Sequence, residues 1–286
     1  MNLIIKIFNS CINLFKFLFY YLLTSKYKIF TTFIYVPFLY LTSWIIIQPL
    51  RITNINKEYL SNIIEILTII LFFILISKWF HTRWGIRKGW YLIGIKTNNK
   101  KVKSITYFLK GVLQGSILVT LIIMPILIND WYEWQNRLSI FAVLNAILLS
   151  LTYGLGEEIF FRGWLQEELK IQLGIKLAVI IQSLIFSLVH GFQNIGLTIG
   201  LFLLGILLST NKIKDKGSIW GCVGIHGGLV GIWFLITSML SINENAPSWI
   251  VGLDKTNINP LGSFYGIILM IGLITFINNS RLDNSN

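Results

Sequence analysis

Three ionisable residues lie close together in an otherwise apolar stretch of the chain, YGLGEEIFFRGWL at 153–165. Glu158 and Arg162 are four positions apart with the acid first, which on a helix places them on one face in the order that favours an ion pair. Glu157 lies about 100° away around the helix axis, so it is left free to accept a proton. Because charges inside a membrane are costly and usually functional, the pattern predicts a functional role for Glu157 beside a paired Glu158 and Arg162.

Two of the three histidines also lie in apolar segments, His190 in FSLVHG and His226 in GCVGIHGGLVG. An imidazole can orient a water, move a proton or ligate a metal near neutral pH. Two histidines and one carboxylate on three different helices are not easily explained by packing alone. Glu157, His190 and His226 are therefore the candidate functional residues, with Glu158 and Arg162 beside them.

The elements that must position these residues are membrane-spanning helices. Of the 286 residues, 55% are hydrophobic and only 13% are charged, against about 25% charged in soluble domains. In lipid a lone strand would leave its backbone unpaired, so each span must be a helix. We expect an all-α polytopic membrane bundle of about eight transmembrane helices, of which the sixth is short. The predicted spans are 29–49, 59–79, 106–128, 138–160, 173–192, 195–210, 217–241 and 260–278.

Small residues predict where these helices approach one another. Gly111 and Gly115 form a GxxxG pattern in the third span, which is typical of close helix packing. Five glycines surround His226 in the seventh span and predict a second small-residue face; they are also expected to leave room for substrate or water beside the imidazole. These five are Gly221, Gly224, Gly227, Gly228 and Gly231.

Basic residues are divided unequally between the predicted loops. The segment 78–103 holds eight Lys or Arg residues and no acid, and NKIKDK at 211–216 is also basic. Placing both on the cytoplasmic side puts 19 basic residues inside and four outside, with Arg162 left out, as the positive-inside rule favours. We expect a multi-pass protein among membrane lipids, in a cell inner membrane, with both termini cytoplasmic. This topology explains the net charge of +12 without nucleic acid as a partner.

The first 28 residues are predicted to form an interfacial amphipathic helix, followed by a single transmembrane domain at 29–286. Polar residues recur at helical spacing and form one stripe on an apolar helix. A cleaved signal peptide is not favoured, because no small-x-small site follows the apolar run, and a ninth span is the alternative. The stripe consists of Lys6, Asn9, Ser10, Asn13 and Lys16.

The motifs resemble, in their order, those of the CPBP family of intramembrane proteases, which contains prenyl-protein (CAAX) endopeptidases and Abi-like bacteriocin-processing and immunity proteins. EEIFFR matches E-E-x-x-x-R, residues 186–190 match F-x-x-x-H, and His226 resembles the third motif, a histidine in a late helix. The resemblance covers about 140–240, with the family-like core at about 138–241. Four residues after this histidine the family usually has Asn or Asp, which helps to hold the oxyanion; here the residue is Val230.

The resemblance implies an intramembrane endopeptidase of CAAX-protease type, which hydrolyses a peptide bond of a membrane-associated protein or peptide. In the favoured mechanism no metal is needed: Glu157 is the general base, and His190 and His226 orient water and stabilise the tetrahedral intermediate. The alternative in this class makes these three residues the ligands of a divalent metal such as zinc, although the HExxH pattern is absent from the sequence. A prenylated C-terminus, a bacteriocin leader and a transmembrane signalling segment are all candidate substrates.

Two other classes of function use the same residues. In an ion or proton-coupled transporter, Glu, Arg and His line a path across the membrane, but the sequence carries no internal repeat of the kind that many transporters have. In a catalytically silent family member, the cavity binds another membrane protein as a scaffold. Val230 is the residue that favours the silent alternative.

Helix lengths place a geometric condition on the site. If the fourth helix ended near residue 160, Glu157 would lie near its inner end and His190 near the outer end of the fifth, about 25 Å higher. A shared site therefore requires one unbroken helix from about Leu138 to Lys170, with QEELK at 166–170 as its solvated inner turn. We expect Glu157 within about 12 Å of both histidines, because a base must reach its proton directly or through one water.

Overall fold

The computed structural model describes residues 2–52, 57–96, 103–135, 138–190, 194–252 and 258–282. Within these ranges the chain is helical apart from turns and one two-stranded ribbon. Its residues group into two compact units, Met1–Trp90 and Tyr91–Asn286. The sequence-based division into 1–28 and a single domain at 29–286 stays a prediction.

The apolar helices confirm the predicted all-α polytopic membrane bundle. Among the described residues, six helices are long and apolar enough to cross a membrane: Lys28–Leu50, Tyr59–Trp84, Ser104–Ile128, Ile140–Leu173, Ile195–Lys214 and Trp220–Met239. Ile175–Val189 and Phe264–Phe276 are shorter apolar helices. The expectation that the sixth span is the short one is wrong, because its helix continues through the basic NKIK segment to Lys214.

The first unit contains three long helices. They are α1 (Asn2–Thr24), α2 (Lys28–Ile47) and α3 (Lys57–Trp84), with a 3-10 turn at Gln48–Ile52. On α1, Asn13 and Lys16 of the predicted polar stripe are exposed, whereas Phe19 is buried. The side chains of Lys6, Asn9 and Ser10 lie outside the described residues.

A buried arginine joins the three helices of this unit. Arg83 on α3 is only 4% exposed. Its guanidinium donates to the carbonyl of Leu22 at 2.7 Å and to the carbonyl of Lys28 at 2.9 Å, and it also donates to the hydroxyl of Thr31 at 2.8 Å. Because hydrogen bonds from a charged donor are stronger than neutral ones, Arg83 fixes where the chain passes from α1 into α2.

The second unit holds the remaining long helices. After the short α4 (Gly89–Leu92) at the boundary in sequence come α5, α6, α7, α8, α9, α10, α11 and α12. Their bounds are, in that order, Ser104–Ile128, Ile140–Glu158, Gln166–Leu173, Ile175–Val189, Ile195–Lys214, Trp220–Met239, Ser248–Val251 and Phe264–Leu282. A π-helical segment at Ile159–Leu165 connects α6 to α7, and a 3-10 turn at Pro260–Gly262 precedes α12.

A short antiparallel ribbon connects the ends of α5 and α10. Strand β1 (Tyr132–Trp134) pairs with β2 (Leu240–Ile242), with Tyr132 opposite Ile242. An isolated two-stranded ribbon is marginal in water, and this one is supported by an apolar cluster beneath it. The cluster contains Ile123, Ile126, Leu240, Ala246, Ile250 and Val251.

Glycines let α10 pack directly on the backbones of α5 and α6. A Cβ on Gly111 would lie 2.2 Å from the carbonyl oxygen of Gly221, and a Cβ on Gly115 would lie 2.3 Å from that of Ile225. On the other side of α10, a Cβ on Gly227 would lie 2.7 Å from the carbonyl oxygen of Ser150 on α6. The predicted packing role is therefore confirmed. The expected room is not provided by these glycines, because neighbouring backbone and side-chain atoms fill the space beside them.

Candidate active site

The acidic motif lies within one continuous helical segment. Ile140–Leu173 runs without a break, because α6 passes through the π-helical segment directly into α7. The side chain of Ser139 caps its N-terminus by accepting from the backbone nitrogen of Ala142 at 3.1 Å. The predicted helix from about 138 to 170 is confirmed, with the added feature that the turn after Glu158 is a π-helix, a local widening that is frequent at functional sites.

One carboxylate oxygen of Glu158 is bonded to two neighbours. Its Oε1 accepts from Nη1 of Arg162 at 2.8 Å and from Nδ1 of His226, also at 2.8 Å. Glu158 and Arg162 are completely buried. The predicted ion pair is present, and the additional bond to His226 ties the motif on α6 to α10.

Glu157 faces both histidines. Its Oε2 lies 3.2 Å from Nε2 of His190 and 3.9 Å from Nε2 of His226. These distances are well inside the limit of about 12 Å that the sequence set for a shared site. The side chain of Glu157 is 21% exposed and that of His190 is 31% exposed, so the pair borders an accessible space rather than the packed core. The three residues predicted as the catalytic set are therefore brought together.

The partners of the two Nδ1 atoms determine which ring nitrogens carry protons. Nδ1 of His190 lies 2.7 Å from the carbonyl oxygen of Phe186, and a carbonyl can only accept, so this Nδ1 donates. By the same argument Nδ1 of His226 donates to the carboxylate of Glu158. In the neutral state both rings thus present an unprotonated Nε2 to Glu157. At 3.2 Å a lone pair and a carboxylate oxygen would repel, so one proton is shared between His190 and Glu157.

The phenylalanine of the F-x-x-x-H motif packs at the centre of the site. The ring of Phe186 lies 4.3 Å from the guanidinium carbon of Arg162, within the range of a cation–π contact. Its centroid is 4.5 Å from that of His190 and 5.9 Å from that of His226. The four-residue spacing on α8 allows one helix to supply both the ring and the histidine.

A cavity of about 350 Å³ opens beside these side chains. Its polar lining consists of Tyr153, Glu157, His190, His226 and Asn259. The rest of its wall is apolar and is supplied by α5, α8, α9, α10 and the turn before α12. A mostly apolar pocket with a few convergent polar groups is the usual form of a small-molecule or catalytic site.

Comparison with protein families agrees with this geometry. Residues 139–232, which hold all five candidate site residues, match the family described as type II CAAX prenyl endopeptidase Rce1-like. This segment is similar to that family. The predicted resemblance to CPBP intramembrane proteases is thereby confirmed. Residues 17–88 match a domain of unknown function (DUF8676). No curated protein and no solved structure matches the chain significantly.

A buried lysine supports the π-helical segment of the Rce1-like domain. Lys212 on α9 is 1% exposed. Its Nζ donates to the carbonyl oxygen of Arg162 and to Oε1 of Glu167, both at 2.7 Å. Because the widened turn changes the backbone pairing around Arg162, the lysine supplies a donor to a carbonyl at that point. The sequence placed Lys212 in a basic loop, because its neighbours in the chain give no signal that its side chain is buried.

The inner turn of this helix corrects one prediction. QEELK at 166–170 was expected to be solvated, but Glu167 is 5% exposed and Glu168 is fully buried. Glu167 is held by Lys212 and by the half-exposed Lys170, whose Nζ lies 3.0 Å from its Oε2. Only Lys170 of the charged residues in this turn reaches solvent. The turn is therefore part of the packed interior.

Metal binding by Glu157, His190 and His226 depends on how their donor atoms are arranged. Within the described ranges of the chain, no group of three or more His, Cys, Asp or Glu side chains is placed so that it could hold a metal ion. In the Rce1-like domain both Nε2 atoms approach the same carboxylate oxygen. As they stand, these residues do not fit a metal site. The expectation that the reaction needs no metal or other cofactor stays a prediction.

Two polar residues of the cavity were not singled out from sequence. Tyr153 precedes Glu157 by one helical turn, so the spacing on α6 was an available signal. Asn259 lies outside the matched segment 139–232 and follows no motif, so nothing local indicated it. Val230, which stands where the related proteases usually have Asn or Asp, also lines the cavity and offers no hydrogen-bond donor.

Proposed function

We propose that this protein is an intramembrane endopeptidase that hydrolyses a peptide bond of a membrane-associated protein or peptide by a glutamate-activated water. The observation that carries the proposal is the position of Glu157, whose Oε2 is 3.2 and 3.9 Å from two imidazole nitrogens at the wall of an accessible cavity. The family that the segment holding these residues resembles is, by its description, a family of proteases.

Water activation is assigned to Glu157. Its carboxylate accepts a proton from a water in the cavity while the water oxygen attacks the carbonyl carbon of the scissile peptide. The carbonyl π electrons move onto oxygen, and a tetrahedral oxyanion forms. Glu157 then delivers the same proton to the leaving nitrogen as the carbon–nitrogen bond breaks. A positioned general base of this kind contributes roughly 10²–10⁴-fold to rate.

The two histidines are assigned to holding the water and the proton. His190 shares a proton with Glu157, so it can keep that carboxylate ionised when the water arrives. His226 is fixed through its Nδ1 by Glu158 at 2.8 Å, which directs its Nε2 toward the cavity. Glu158 is in turn neutralised by Arg162. An oriented imidazole backed by a carboxylate is a recurrent device for placing one nitrogen at the reacting atoms.

The substrate class is inferred from the lining of the cavity. Its wall is mostly aliphatic and aromatic, including Leu201, Leu204, Leu229 and Trp233. Such a wall binds a lipid-like or apolar side group and places the adjoining peptide beside Glu157. The family description adds prenylated CAAX peptides as the class to test first.

Cleavage of a defined peptide tests this proposal. The full chain in liposomes is given an internally quenched peptide with a farnesylated cysteine three residues before its C-terminus, and Glu157→Gln is the paired variant. We expect the variant to insert and purify normally and to lose roughly 10²–10⁴-fold in rate. Equal rates for both proteins would exclude Glu157 as the base. Loss of wild-type activity with a chelator, and its return with zinc, would instead establish the metal alternative.

A scaffold role is the second candidate, and Val230 is the observation that favours it. This apolar side chain lines the cavity where the related proteases usually place a polar one. Comparing the membrane proteomes of cells that express wild type and Glu157→Gln separates the two candidates. New peptide N-termini that depend on Glu157 support the protease, whereas co-purified partners with unchanged N-termini support the scaffold.

The orientation in the membrane is proposed from the basic residues. Both termini and the segment 78–103 are assigned to the cytoplasm, in a cell inner membrane, because the 19-to-4 division of basic residues follows the positive-inside rule. Four outer basic positions, Arg51, Lys57, Arg137 and Lys255, lie where the structure describes no side chain. Reporter fusions after Lys100 and after Asn286 should both read as cytoplasmic; two external readings would reverse the assignment.

A further inference from the structure

Hydrolysis by Glu157 leaves one requirement unmet, a hydrogen-bond donor for the oxyanion. Stabilising that charge is usually a large contribution to acyl-transfer catalysis. Both histidines use Nδ1 elsewhere, so the neutral His226 turns an acceptor toward the cavity, and the proton on Nε2 of His190 is already shared with Glu157. Glu157 is itself an acceptor while it acts as a base. The three residues that activate water are therefore poor in donors, and Val230 adds none.

Asn259 lines the same cavity. Its Oδ1 accepts from the backbone nitrogen of Leu261 at 3.2 Å, which caps the 3-10 turn at Pro260–Gly262. That bond fixes the side-chain amide by its oxygen, so the nitrogen Nδ2 is the group left to act as a donor. Nδ2 makes no hydrogen bond to any residue that the structure describes.

The turn that carries Asn259 is firmly seated on α9. A Cβ on Gly196 would lie 2.3 Å from the carbonyl oxygen of Gly262, and a Cβ on Gly200 would lie 2.4 Å from that of Leu261. Backbone contacts this close hold the turn against the helix. Asn259 is therefore a preorganised donor, and preorganisation is what gives an oxyanion donor its effect on rate.

We propose that Asn259 is a catalytic residue whose Nδ2 donates to the oxyanion of the tetrahedral intermediate. This inference rests on the proposed endopeptidase function and assigns a group from outside the family-matched segment to its active site. Two other donors line the cavity. The side chain of Tyr153 is 45% exposed, and Trp233 packs against the apolar cluster beneath the ribbon. Neither side chain is fixed by a hydrogen bond among the described residues, as Asn259 is.

Two substitutions separate the catalytic role from the capping role. Asn259→Asp keeps an oxygen that can accept from Leu261 but has no donor, and Asn259→Ala removes both. We expect both variants to lose about 10²–10³-fold in kcat with little change in KM, as for loss of one oxyanion donor. Only Asn259→Ala should lower the unfolding temperature. If Asn259→Ala does not fold, Asn259→Asp still carries the test.

A second capping residue in the same turn provides the matched control. The hydroxyl of Ser263 donates to the carbonyl of Pro260 at 2.7 Å and accepts from the nitrogen of Gly266 at 2.9 Å, but it does not line the cavity. Ser263→Ala should lower the unfolding temperature and leave kcat unchanged.

The assay uses the farnesylated quenched peptide and the full chain in liposomes, with wild type and Glu157→Gln as reference proteins. An active wild type with an Asn259→Asp variant of unchanged kcat overturns the role of Asn259 alone. So does a loss seen in Asn259→Ala but not in Asn259→Asp. A wild type that does not cleave the peptide, or cleaves it no faster than Glu157→Gln, overturns the proposed function and this assignment with it. Each protein is assayed at its own pH of maximal activity, and the rate losses must persist there. A loss that disappears there would come from the added charge of the aspartate and not from the missing donor.

Discussion

Replacing Lys212 by methionine tests whether the buried ion pair holds the π-helical segment. Lys212 is 1% exposed, and its ammonium group contacts two acceptors at 2.7 Å, the carbonyl of Arg162 and the carboxylate of Glu167. Methionine fills a similar volume without charge or donor. The change therefore removes two hydrogen bonds and leaves a buried carboxylate and a buried carbonyl behind.

The expected loss follows from the groups left without a partner. Removing one member of a buried ion pair costs about 3–5 kcal/mol. Lys170 remains 3.0 Å from Glu167, so the carboxylate keeps one partner and the lower end, about 3 kcal/mol, applies. The unpaired carbonyl of Arg162 adds about 1 kcal/mol. We expect Lys212→Met to lower the free energy of unfolding by about 4 kcal/mol.

Equilibrium unfolding in mixed micelles, followed by the fluorescence of the ten tryptophans, measures this loss. Glu167→Gln in the Lys212→Met background should recover part of it, with a coupling energy of about 0.5–3 kcal/mol. The exposed Lys176 on α8 is the control, since Lys176→Met should change stability by less than about 0.5 kcal/mol. A loss below about 1 kcal/mol for Lys212→Met, or equal losses at the two lysines, would refute the argument.

Three further predictions follow from the same structure. Glu158→Gln should destabilise the protein by about 3–5 kcal/mol because it leaves a buried guanidinium without its ionic partner. The folded fraction of this variant should keep more turnover than Glu157→Gln. A greater loss of turnover in Glu158→Gln would reverse the two roles. Gly115→Ala should lower the free energy of unfolding by at least about 1–3 kcal/mol, because α5 and α10 must separate to admit the methyl group. Gly272 has open space around it, so Gly272→Ala should be neutral or slightly stabilising. Equal effects of the two substitutions would contradict direct backbone packing. Burial raises the pKa of Asp215 to about 6, so the protonated acid is favoured in the folded state and stability falls as pH rises from about 4 to 6. Asp215→Asn should remove that fall, gaining up to about 3 kcal/mol on wild type across this window, and parallel pH curves for the two proteins would show that the shift is absent.

Much of the architecture could be derived from composition and spacing. A chain that is 55% hydrophobic must satisfy its backbone within helices, so an all-α membrane bundle was determined before any contact was known. The long helix through residue 170 followed from arithmetic, since Glu157 and His190 could share a water only if α6 continued past Arg162. Gly111 and Gly115 indicated close packing because a missing side chain is a local signal of backbone approach.

Tertiary structure decided how the polar groups are divided among these helices. Sequence paired Glu158 with Arg162 because they are one turn apart, but the bond from His226 comes from 68 positions away and has no periodic signal. The same reason explains Glu167 and Lys212, which were read as solvated charges. A charge can be buried when a partner meets it across the bundle, and that partner is set by packing between helices rather than by its neighbours in the chain. Asn259 is the extreme case, because only the seating of its turn on α9 brings this residue, which follows no motif, to the cavity beside Glu157.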